Sequence, residues 1–189
     1  MYNEHRLSDV TKSYLKRFHC ILDELIEGMT TAELTDSISH NFIVQMIPHH
    51  MAAIEMSENI LKYTTLIPLQ EIAKNIISEQ TKSIENMRAA KSECSCLVNS
   101  KCDVSAYNHR VNRIMETMFC GMKNAAATNN VNADFMREMI PHHRGAVEMS
   151  KNALRYDICD ELHPILNAII ASQQKGIMQM QRLLRNMNC

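Results

Sequence analysis

The sequence predicts an all-α fold, a tandem duplicated antiparallel helical bundle with about three helices per repeat. Three observations predict it. Gly and Pro are scarce, 4 of each in 189 residues, while helix-forming Met, Leu, Ile, Glu and Lys are plentiful. Apolar residues recur at helical rather than alternating spacing between the breaks. A shift of 93 positions lays the second half on the first without a gap, from Tyr14 on Tyr107 to Met87 on Met180.

Each element follows from local chemistry. The first helix carries Leu15, Phe18, Leu22, Leu25 and Ile26 on one face and is expected to stop at Gly28, a natural C-cap. Its copy runs through Val111, Ile114, Met115 and Met118 to Gly121. The second helix begins near Asp36-Ser37, or Asn129-Asn130, where a side-chain oxygen can cap free N–H groups, and runs to about Tyr63 or Tyr156. The third starts near Pro68 or Pro164, since proline suits a first turn, and aligns Ile77, Gln80, Ile84 and Met87. Short connections between such helices imply antiparallel neighbours. Residues 1–93 and 104–189 are therefore read as two helical repeats, and 94–103 as a cysteine-containing linker.

The charge balance, 20 basic against 21 acidic residues, gives no cationic footprint for nucleic acid or an anionic membrane. Neither an apolar leader nor a bilayer-length apolar run occurs, so a cytoplasmic protein is expected. The 7 cysteines are read as thiols rather than a disulfide framework. Cys94, Cys96 and Cys102 could form a thiolate site, with free thiols or a disulfide as alternatives. Cys20, Cys120 and Cys159 have no cysteine counterpart in the other repeat and are expected to be small buried or half-buried residues.

The chemistry lies in a segment present twice, "QMIPHHMAAIEMS" and "EMIPHHRGAVEMS"; from Met46 to Tyr63, 12 of 18 positions match those from Met139 to Tyr156. Potential metal ligands kept in both copies are Met29/Met122, Met46/Met139, His49/His142, His50/His143, Glu55/Glu148, Met56/Met149 and Met87/Met180. His5, His19, His40, His109 and His163 have no such counterpart and are read as surface or locally bonded residues. At about 100° per residue, His49, His50 and Met56 fall within about 80° of Met46, with Ala53 leaving room between them. Glu55 points to the opposite side.

Thioether and imidazole together suit copper(I), and silver(I) is similarly soft, whereas zinc, magnesium and calcium are poorly served by thioethers. The Glu-x-x-His pairs of di-iron bundles are absent. Proposed ligands are Met46, His49, His50 and Met56 with Met139, His142, His143 and Met149; Met87 and Met180 could complete the coordination from a third helix. Pro48 and Pro141 either kink the second helix or begin a new one. A helical bundle whose Met/His core is structural, and a thiol- or metal-dependent redox enzyme, are the rival readings. Exposed methionine faces would favour homo-oligomers.

"FIVQMIPHHMAAIEMSENIL" and "FMREMIPHHRGAVEMSKNAL" resemble the signature of the bacterial family called domain of unknown function 305, with Gln80, Met87, Gln173 and Met180 matching positions downstream. The resemblance implies a ferritin-like helical bundle. It also implies, for relatives, binding of copper or silver ions through Met and His; the chain is accordingly read as a non-enzymatic copper(I)-binding protein for metal sequestration, homeostasis or resistance.

Overall fold

The computed structural model describes residues 7–187; His5 and Cys189 lie outside them. The described residues form six helices: α1 (Asp9–Thr30), α2 (Ile38–Leu61), α3 (Ile67–Cys94), α4 (Lys101–Lys123), α5 (Val131–Ala153) and α6 (Leu162–Met187). Four begin at a polar cap: Ser8, Ser37, Ser100 and Asn130 accept the N–H groups of Thr11, His40, Asp103 and Ala133. Helix α3 instead uses Pro68 in its first turn, where the missing N–H costs nothing. The connection between α3 and α4 is residues 95–100, narrower than the linker read from sequence, because Cys94 still belongs to α3 and Lys101 already to α4.

Helices α2 and α5 pack against each other at the centre; α1 and α3 cover α2, α4 and α6 cover α5, and α3 also meets α6. The repeats are thus joined face to face. Matching contacts mark their pseudo-twofold relation. Tyr14 packs edge-on against Tyr63, and Tyr107 against Tyr156, each at 5.9 Å between ring centres. Asn59 and Asn152 donate from Nδ2 to the carbonyls of Tyr14 and Tyr107. Phe42 and Phe135 are fully buried on the central helices. Each such side chain contributes about 1.5–3 kcal/mol through the apolar surface it removes from water.

Three expectations need correction. Gly28 and Gly121 do not cap their helices, which continue to Thr30 and Lys123 without a left-handed residue. Their lack of a side chain serves packing: a Cβ on either would lie 2.9 Å from Cβ of Pro48 or Pro141. Cys20 and Cys120 are exposed rather than buried, and so are Cys96 and Cys102. Cys94 is not part of a linker thiol set either, since it is disulfide-bonded to Cys159. Both prolines lie inside continuous helices, which settles their position: neither begins one. No described helix is long and apolar enough to cross a membrane.

Candidate metal centre between the central helices

The motif stripe faces inward. Met46, His49, His50, Met56 and Met87 from the first repeat, and Met139, His142, His143, Met149 and Met180 from the second, are all at most 1% exposed. Met29 and Met122 are buried as well. These methionines are therefore packed within the chain, whereas Met51 and Met178 are exposed. Glu55 and Glu148 point outward to Arg17 and Lys151, in accord with their angular position.

His49 and His142 meet at the centre of the α2/α5 contact, with ring centres 3.7 Å apart. Each ring reaches across to the other's backbone: His49 Nε2 donates to the carbonyl of His142 at 3.2 Å, and His142 Nε2 to that of His49 at 3.0 Å. A carbonyl can only accept, so both Nε2 atoms carry the proton and both Nδ1 atoms carry a bare lone pair. Those Nδ1 atoms are buried without a partner. Fixing one ring nitrogen on a carbonyl while leaving the other bare is the arrangement that orients an imidazole for a metal.

The flanking histidines differ. His50 Nε2 lies 3.0 Å from Ser83 Oγ on α3, whereas the position equivalent to Ser83 in the second repeat is Gly176. The gap left there adjoins a cavity of about 10 Å³, lined by His143, Gln80, Gln173 and Gly176 among others. That is room for about one water-sized occupant. Nδ1 of both His50 and His143 is buried and unpartnered, as are both amide atoms of Gln80 and Oε1 of Gln173. A Cβ on Gly176 would sit 2.9 Å from His143 Nε2 and Cδ2. Gly176→Ala is expected to cost a net ~1 kcal/mol, overpacking of ~2 kcal/mol being partly offset by better helix propensity. Urea unfolding measures this; a gain of similar size would mean that the His143 ring moves aside freely.

Burial holds all four imidazoles neutral near pH 7. It pushes His50 down to about 3 and His142 to about 4, and lowers His49 and His143 strongly, with repulsion among the rings adding to the effect for His49, His50 and His143. A neutral imidazole can ligate without first shedding a proton. The histidines nevertheless do not converge on a single point. Among the described residues, no three ligand atoms of this cluster drawn from His, Cys, Asp and Glu lie within 4.8 Å of one another. These four imidazoles therefore do not by themselves make a three-ligand site of nitrogen and oxygen donors.

One neighbouring pair escaped the sequence reading. Tyr14 donates at 2.5 Å to Oε2 of Glu138, a turn before His142, and burial raises that carboxyl to about 8. The first repeat has Gln45 in this place, and its partner by symmetry, Tyr107, has an unpartnered hydroxyl. The Gln45/Glu138 difference beside the retained tyrosines was the available signal. A groove of about 560 Å³ lies between α4 and α5; none of the four histidines lines it.

Comparison with known proteins follows the same lines. The family model described as "Domain of unknown function (DUF305)" matches residues 24–91 and 39–184. No curated protein matches the chain. Among solved structures, CopM in a silver-bound form obtained by soaking is similar at a TM-score of 0.59 and 29% identity, over 81% of this chain and 96% of CopM. CopM in the Cu(I)-bound form gives the same TM-score and identity, over 82% and 99% of the two chains. A DUF305 fragment from Deinococcus radiodurans shares the fold at a TM-score of 0.59 and 22% identity, covering 79% of this chain and 96% of the fragment.

Proposed function

The chain belongs to the family of domain of unknown function 305, and on that footing we propose that it is a non-enzymatic binder of a soft monovalent ion. Copper(I) is the foremost cargo and silver(I) the second, held for sequestration, homeostasis or resistance. His49 and His50 with Met46, Met56 and Met87 would take the ion in the first repeat. His142 and His143 with Met139, Met149 and Met180 would do so in the second.

One observation carries the reading: two central imidazoles have their Nε2 protons committed to carbonyls and their bare Nδ1 lone pairs buried without a partner, on helices whose same stripe carries the buried Met46, Met56, Met139 and Met149. Leaving such acceptors unpaired costs about 1–3 kcal/mol each, a cost that a bound ion would offset. The donor set fits the cargo, since thioether and neutral imidazole both favour Cu(I) and Ag(I). The CopM structures in silver- and Cu(I)-bound forms support the same assignment.

The test is an anaerobic competition titration of the metal-free chain with Cu(I), Ag(I) and Zn(II), with the cysteines alkylated beforehand. Tight uptake of Cu(I) and Ag(I), undisturbed by an excess of Zn(II), is the expected result. Equal preference for Zn(II) would overturn the soft-ion assignment, and no uptake of any of the three would leave a purely structural Met/His core.

A further inference from the structure

The Cys94–Cys159 disulfide lies outside the duplication. Cys94 ends α3 in the first repeat, Cys159 precedes α6 in the second, and their equivalents are Met187 and Leu66. The bond thus joins the repeats at a point that neither inherited from the other.

What surrounds it holds the two cysteines in place independently of the bond. Ser37 Oγ donates to the carbonyl of Cys94 at 3.0 Å, and the N–H of Cys159 donates to Ser39 Oγ at 3.0 Å, so both backbones rest on the start of α2. Asn99 ties the same corner together. It binds Asp36 through its N–H, Ile38 through Oδ1 and the carbonyl of Asp157 through Nδ2, at 2.7–2.8 Å. Breaking the S–S bond would leave two sulfurs on backbones whose Cα atoms are 5.2 Å apart.

A third ligand is present. A carboxylate oxygen of Glu161 lies within 4.8 Å of both sulfurs, and this is the one such trio among the described residues. Cys94 is buried, Cys159 is half-buried and Glu161 exposed, which gives a small thiol or an ion an approach from the Cys159 side. The start of α6 immediately follows and favours a thiolate at Cys159. Cys96, two residues from Cys94, turns back toward the carbonyl of Ser92.

We propose that Cys94, Cys159 and Glu161 form a second, redox-gated site that takes one Cu(I) ion when the disulfide is reduced. The reductant is a low-molecular-weight thiol. Its thiolate attacks Cys159 Sγ, the S–S bond breaks and its electron pair leaves on Cys94 Sγ, which takes up a proton. A second external thiolate then attacks the external sulfur of the mixed disulfide; that S–S bond breaks, Cys159 Sγ leaves with its electron pair and takes up a proton, and the two external thiols depart as a disulfide. Two electrons pass from two thiols to the protein disulfide. Cu(I) next replaces the two thiol protons, which go to solvent, with no change in oxidation state. Two thiolates suffice for a soft monovalent ion, and Glu161 offers an outer oxygen.

The experiment uses the full chain with Cys20, Cys96, Cys102, Cys120 and Cys189 changed to Ser, prepared as disulfide and as dithiol with the reductant removed. Anaerobic Cu(I) titration is expected to show one more ion bound by the dithiol form, with a thiolate-to-copper ultraviolet band absent from the disulfide form. Adding Cys159→Ser is expected to remove both. Equal stoichiometry in the two forms, or an extra ion that survives Cys159→Ser, overturns the proposal. If the serine variants fail to fold, alkylation of the reduced natural chain decides: Cu(I) should shield Cys94 and Cys159, and unhindered alkylation of both overturns it. The readout is a difference between redox forms, so it stands apart from the Met/His sites; their failure would lower both stoichiometries equally.

Discussion

Replacing His49 and His142 together by glutamine is expected to lower Cu(I) affinity by at least about 100-fold while costing little stability. Glutamine Nε2 can reproduce the donation that each ring makes to the opposite carbonyl, at 3.2 and 3.0 Å in the native pair, but it brings no lone pair equivalent to Nδ1. Replacing both by alanine should lose the same affinity and in addition roughly 3 kcal/mol or more, from the cavity and the two lost hydrogen bonds. The two variants separate ligation from packing. Affinity within threefold of native in the glutamine pair, measured by anaerobic competition, would show that these imidazoles only hold the helices together.

Metal-free protein is expected to lose stability steeply as the pH falls from about 6.5 to 4. Each buried histidine has a folded pKa below the ordinary 6.5, about 3 for His50 and about 4 for His142. Within that window the unfolded chain binds protons that the native chain refuses, so the stability present above pH 6.5 drains away as the pH drops. The shifts of His50 and His142 correspond to roughly 3 kcal/mol each at pH 4, an upper bound because the rings interact, and those of His49 and His143 act in the same direction. Even two such groups are a large part of the stability of a typical domain, about 5–15 kcal/mol.

Glu138 acts with the opposite sign. Its folded pKa is raised from 4.5 to about 8, so the native state keeps a proton that the unfolded state has lost, and stability falls as the pH rises through that range. Glu138→Gln, which copies Gln45 and can still accept from Tyr14, is expected to gain up to roughly 4 kcal/mol at pH 8 and almost nothing at pH 4.5. Urea midpoints at pH 4.5, 6 and 8 test both arms. A midpoint that is flat between pH 7 and 4.5 would mean that water reaches the imidazoles.

The helices and their starts were legible because the information is local. Ser37 and Asn130 cap α2 and α5 where their hydroxyl or amide oxygen can meet free N–H groups, and the duplication fixed the correspondence between repeats. The inward face was legible too, since about 100° per residue sets Met46, His49, His50 and Met56 on one stripe whatever that stripe touches.

What the stripe touches required the tertiary structure. Periodicity says which side chains share a face, but not which face it meets, so it was silent on His49 clasping His142 across the repeats. It was equally silent on Tyr14 reaching Glu138, 124 positions away. Gly28 looked like a helix end because glycine tolerates unusual backbone angles; contact with Pro48 gives it a different reason to lack a side chain. Cys94 and Cys159, 65 residues apart, could be joined only by knowing that α3 ends beside the α5–α6 connection. The sequence by itself determined the helices, their duplication and the soft character of the candidate ligands, because these depend on neighbours along the chain. Only the packing of distant helices decided which lone pairs stay bare, which thiols meet and which protons are held, because burial and approach are set in space.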